Sequence, residues 1–108
     1  MENFAHIATA AVATARGERY VKQLIGHWGR HAELIDESPE GTVLQFAATE
    51  GFPATAVRLA ITPECLVVTS YAHDTAALQA SNDALADHLR RWAGPDEDLV
   101  FDWIPLQA

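Results

Sequence analysis

The chain carries five histidines, and two of them, His27 and His31, bracket a tryptophan in the stretch QLIGHWGRH. Imidazole changes charge near neutral pH and ligates zinc, iron, copper and nickel. Two histidines four apart on a helix face one way and can share one metal. Gly29 interrupts this pair, so the helix must run through it for the spacing to serve. The alternative is that His31 already opens the next strand. Arg16, Tyr20, Gln23 and His27 step by four, three and four, which places them on one helical ridge. Such a ridge can hydrogen-bond a ligand in the groove beside the helix. The competing reading is that Tyr20 and His27 seal the core with their polar tips wet. His88 flanks a later helical segment one turn before Trp92 and completes the candidate ligand set.

The elements that hold these residues follow from hydrophobic spacing and turn signals. A small-residue run over 5–14 predicts a first strand. From Arg16 to Trp28 the pattern is helical, with Tyr20, Leu24 and Trp28 in one stripe beside Val21 and Ile25. Thr14 is the expected cap. AELIDES, TVLQFAA, ATAVRLAI and CLVVTSY read as four more strands, separated by Pro- and Gly-bearing turns. Asp74 or Thr75 should cap a second helix, whose stripe is Leu78, Leu85, Leu89 and Trp92 and which Gly94-Pro95 stops. Leu99, Phe101 and Trp103 alternate in an expected last strand. The order β-α-β-β-β-β-α-β predicts an α+β fold. Short turns make the sheet mainly antiparallel, with two antiparallel helices packed on one face.

If every connection reverses direction, His6, His27, His31 and His73 gather at one end of the sheet, and His88 lies at the other. This gathering makes His27, His31 and His73 the candidate metal ligands, with iron or zinc as the metal. The same argument sets His88 at the Arg16 end, so His27 and His88 are not expected to share a site.

Length and composition bound the function. A chain of 108 residues suits one domain, 1–108. Seven basic against fifteen acidic residues give a net charge of -8. Nucleic acid and anionic membranes both need basic residues to meet their phosphates, so neither is an expected partner. Cys65 is the single cysteine, which excludes an intrachain disulfide. The N-terminal stretch lacks a basic region and a continuous apolar run, so it does not read as a signal peptide, and a cytoplasmic location is expected. Gly-rich phosphate loops, G-x-S-x-G and Cys-x-x-Cys are all missing from the sequence.

The run TARGERYVKQLIGHW, through Ala15-Arg16, Arg19-Tyr20, Gln23-Leu24 and His27-Trp28, resembles the opening of a bacterial family of domains of unknown function. ALADHLRRWA and LVFDW resemble its second helix and last strand. Members of that family occur alone or fused to siderophore-interacting proteins. The resemblance implies an accessory role near ferric-siderophore uptake or reduction, with a siderophore-interacting reductase or a small ligand as partner. The family often carries a further histidine three after the position of His27, where this chain has Arg30. Three functions are therefore expected to compete. They are a non-catalytic binding domain tied to iron or siderophore metabolism, a small enzyme with His27 or His88 as general base, and a module that forms a homodimer through its sheet.

Overall fold

The computed structural model describes residues 3–106. Strand β1 (His6–Ala13) leads into helix α1 (Gly17–Trp28), which tightens into a 3-10 turn over Gly29–His31. Four strands follow: β2 (Leu34–Ser38), β3 (Gly41–Phe46), β4 (Thr55–Ile61) and β5 (Cys65–Ala72). Helix α2 (Thr75–Ala93) and a short strand β6 (Ile104–Leu106) complete the chain. The strands form one sheet in the order β2-β3-β4-β5-β1-β6. Every neighbouring pair is antiparallel. This is the expected α+β fold, with β1 inserted between β5 and β6.

The register explains the core. Leu44 sits opposite Val57, Leu59 opposite Val68, and Val68 opposite Ala10, all on the same face. Tyr20, Val21 and Leu24 from α1 and Leu85 and Leu89 from α2 close over them. The six leucines at 24, 44, 59, 66, 85 and 89 are at most 1% exposed. Burying each contributes on the order of 2 kcal/mol, which ties both helices to one side of the sheet.

Two local expectations change. Thr14 does not cap α1; Arg16 occupies the cap position and no side chain bonds the first turn. Thr14 Oγ1 instead accepts the Arg16 N–H at 3.0 Å. The alternation at 99–103 is not a strand, since pairing with β1 begins only at Ile104. Leu99 is buried because it packs under α2, where Arg90 Nε donates to its carbonyl at 3.2 Å. The Arg90 guanidinium lies 5.1 Å over the Phe101 ring. A loop held by side chains thus imitates the two-residue period of a strand. Asp74 does cap α2, accepting the Ala77 N–H at 2.7 Å.

The β2–β3 turn depends on Gly41, whose φ of +140° belongs to glycine and whose added Cβ would stand 2.7 Å from the Leu59 carbonyl oxygen. Gly41→Ala should therefore destabilise the protein by about 1–3 kcal/mol in urea unfolding. Gly26, inside α1, has nothing within 4 Å of an added Cβ. Gly26→Ala should stabilise by about 0.5–1 kcal/mol in the same assay.

Candidate functional site

The ridge predicted on α1 forms, but half of it, Arg16 and Tyr20, meets the chain that follows α2. Tyr20 is 1% exposed and its hydroxyl donates a short hydrogen bond to Glu97. Thr14 donates to both Glu97 carboxylate oxygens, at 2.9 and 3.1 Å. Arg16 pairs with Asp96 at 3.5 Å on the surface. The Tyr20 and Thr14 hydroxyls, with help from Arg16 and Arg19, hold the Glu97 carboxyl below its ordinary range, against the opposing effect of burial. Burial, followed by the bond to Glu97, raises the Tyr20 hydroxyl. Tyr20 is thus committed to a clasp between β1, α1 and the segment after α2, and has no hydroxyl left for a ligand. Gln23 lies further along the ridge with its Oε1 buried and unpartnered.

His27, at the far end of the ridge, meets His88. Their ring centroids are 5.2 Å apart. The expected separation of these two histidines is therefore corrected. Reversal of direction fixes which way a helix runs but not how far it slides along its neighbour. Helix α1 has twelve residues and α2 nineteen, and the end of α1 abuts the later half of α2. Trp92 stands edge-on to both rings, at 5.8 Å from His27 and 5.7 Å from His88. Trp28 stands edge-on to His88 at 5.2 Å and to Phe46 at 6.0 Å. His88 Nδ1 lies 2.8 Å from the Ala84 carbonyl oxygen. A carbonyl only accepts, so this bond puts a proton on Nδ1, and in the neutral tautomer Nε2 is then the acceptor.

Beside this cluster, where α1 stops short, a cleft of about 250 Å³ opens. Trp28 and His31 form one wall, Phe46, Thr55 and Val57 the sheet side, and Ala80, Ser81 and Ala84 the α2 side. Phe52, 42% exposed, stands at its lip. Ser81 Oγ reaches toward the buried Ser70 Oγ at 3.5 Å. The lining is mostly aromatic and aliphatic with three separated polar groups, the usual composition of a small-molecule site. A larger hollow along the outside of α1 is lined by residues 15–23 alone, so no second element closes it.

His31 lies in the 3-10 turn, in neither the helix nor the following strand, and borders this cleft. His73 packs against Phe4 in a tilted arrangement, with centroids 4.7 Å apart. Among the described residues, no three histidine, cysteine or acidic side chains form a group that could hold a metal ion. His27, His31 and His73 are therefore not one ligand set. The expected gathering placed them at one end of the sheet without fixing which way each ring points. Phe46, Phe52, Thr55 and Ser81 carried no sequence signal of a shared site, since four separate elements supply them. The nearest hint was Phe52, an aromatic between Gly51 and Pro53 in a turn.

A family model described as "Uncharacterized protein conserved in bacteria (DUF2218)" matches residues 9–104. The chain is also similar to PA4090 from Pseudomonas aeruginosa, solved by NMR, with a TM-score of 0.72 and 27% identity over 95% of this chain and 99% of that one. No curated protein matches the chain.

The Glu97 clasp has a pH signature. Its folded pKa lies below the ordinary 4.5, so the clasp contributes fully above that value and is lost as pH falls through the lower folded value. Glu97→Gln should cost about 1–2 kcal/mol at pH 7 and flatten the acid limb of a stability–pH curve. Tyr20→Phe should show a smaller loss that is not additive with it.

Proposed function

The chain belongs to the bacterial DUF2218 family of uncharacterized proteins, and from that premise we propose that it is a small binding domain whose cleft receives a single aromatic ring with polar substituents. The observation that carries this reading is the cleft itself. Trp28, Phe46 and Phe52 offer ring faces and edges from three elements, while His31, Thr55 and Ser81 offer hydrogen bonds. Its 250 Å³ falls just below the roughly 300–1,000 Å³ of pockets for drug-sized molecules, which suits one ring with polar substituents.

We place this binding in bacterial iron or siderophore metabolism, in the cytoplasm, with a siderophore-interacting reductase as partner. The support is the resemblance of the α1 motif to domains fused to siderophore-interacting proteins. Catecholate chelators carry aryl groups of the size the cleft admits. No described helix is long and apolar enough to cross a membrane. A small enzyme is the second reading, favoured by His88. Its Nδ1 bond to Ala84 leaves Nε2 as a free acceptor, the arrangement a general base requires.

Titration with 2,3-dihydroxybenzamide, read by tryptophan fluorescence, tests the binding reading. Saturable quenching is expected, because Trp28 lines the cleft. Phe52→Ala should weaken binding roughly tenfold, as loss of one aromatic contact worth about 1–1.5 kcal/mol requires. Its Tm should barely change, since Phe52 is exposed. No saturation, or equal affinity in Phe52→Ala, would sink this ligand class. Transcript levels of the coding gene under iron starvation check the metabolic placement separately: a rise supports it and indifference removes it.

A further inference from the structure

His27 lies in the last turn of α1 and His88 in the later half of α2, with ring centroids 5.2 Å apart. A zinc ion sits about 2.0–2.1 Å from an imidazole nitrogen, and so about 3.2 Å from the centre of the ring. Two rings that share one tetrahedral ion therefore have centres about 5.2 Å apart. Their interplanar angle is free, because each ring can turn about its own metal–nitrogen axis, so the observed 49° is compatible with a shared ion. The nitrogens are also available. His88 Nδ1 is engaged by the Ala84 carbonyl at 2.8 Å, and no described group hydrogen-bonds its Nε2. A backbone carbonyl on the second nitrogen is the arrangement that orients a ligating imidazole. His27 is exposed, and among the described residues no group hydrogen-bonds its ring nitrogens.

We propose that His27 and His88 form a two-histidine site for a divalent late transition-metal ion, zinc foremost, which clips the end of α1 to α2. Nitrogen ligands favour zinc, copper and nickel over magnesium and calcium, which take oxygen. The electrostatic setting suits a cation. The last turn of α1, where His27 stands, presents carbonyls with partial negative charge. Arg91, one turn after His88, is paired with Asp87 at 2.9 Å, and the whole chain carries a net charge of -8. No third histidine, cysteine or acidic side chain among the described residues joins the pair. Two of the four tetrahedral positions are therefore left for water or an oxygen-donor chelator, which makes this an open site rather than a closed structural one. Two protein ligands give a modest affinity, on the order of 10 μM for zinc, and copper binds more tightly. The site uses none of the hydrogen-bonding groups of the cleft and does not depend on the cleft's being a binding site.

Calorimetric titration of the full chain with zinc chloride tests this. Binding of one ion per chain is expected, with a dissociation constant below about 1 mM. His27→Ala should weaken it roughly tenfold or more, since half of the protein ligands are lost. Its circular dichroism should match the wild type, because His27 is exposed. His88→Ala should weaken binding equally, and His31→Ala should leave it unchanged. In the wild type, NMR should show the nitrogen resonances of His27 and His88 moving together as zinc is added, with those of the other histidines unmoved. That measurement identifies the ligands even if His88→Ala fails to fold. Zinc should also raise the Tm of the wild type and not that of His27→Ala. No saturation by about 1 mM zinc would overturn the proposal. So would undiminished affinity in His27→Ala, an equal loss in His31→Ala, or one ion shared between two chains.

Discussion

Two helices must cover one face of a six-stranded sheet, and they are unequal. At about 1.5 Å per residue, the nineteen residues of α2 reach about 28 Å and the twelve of α1 only about 18 Å. The longer helix packs on β1, β4 and β5. The shorter one runs out near the middle of its partner. The uncovered ground at that end becomes the cleft between Trp28, Phe46 and Ser81. At the sheet edge Ile35 stays 39% exposed. The candidate site is thus a consequence of how much apolar sheet the helices leave bare.

The clasp at Glu97 fixes where α1 stops. A carboxylate that accepts from Tyr20 and Thr14 joins β1, α1 and the chain after α2 at one point. Sliding α1 along the sheet would take both hydroxyl donors away from this partly buried carboxylate, at a cost of about 1–2 kcal/mol. With that end pinned, the other end of α1 brings His27 to His88 and Trp28 to the cleft wall. The ridge therefore works as a ruler between two ends of the domain. Its clasped half, Arg16 and Tyr20, sets the position of the other.

A chain of aromatic rings joins the cleft to the paired imidazoles. Phe46, Trp28, His88, Trp92 and His27 follow one another at centroid distances of 5.2 to 6.0 Å. Edge-on contacts of this kind add specific geometry to burial. Because His88 is pinned by its own helix at Ala84, one turn from the cleft, a ligand that moved Trp28 would also shift the surroundings of the two imidazoles.

The sequence by itself determined the two helices, the first five strands and their order and directions, because hydrophobic period, caps and turn residues are local properties. Leu24, Leu85 and Leu89 could be assigned to the core from spacing alone, and Asp74 to its cap. It also determined that Arg16, Tyr20, Gln23 and His27 share a ridge, since helical geometry alone fixes that. Only the tertiary structure decided what each meets. Glu97 lies 77 residues from Tyr20, and no periodicity links them. His27 and His88 met because the helices slid past one another by an amount that packing sets. The loop at 99–103 wore a strand's alternation because Leu99, Phe101 and Trp103 dip toward the core without a partner strand. Pattern reveals which face of an element is apolar. Position along the neighbour depends on side-chain volumes and polar contacts between distant parts of the chain, and these exist only after folding.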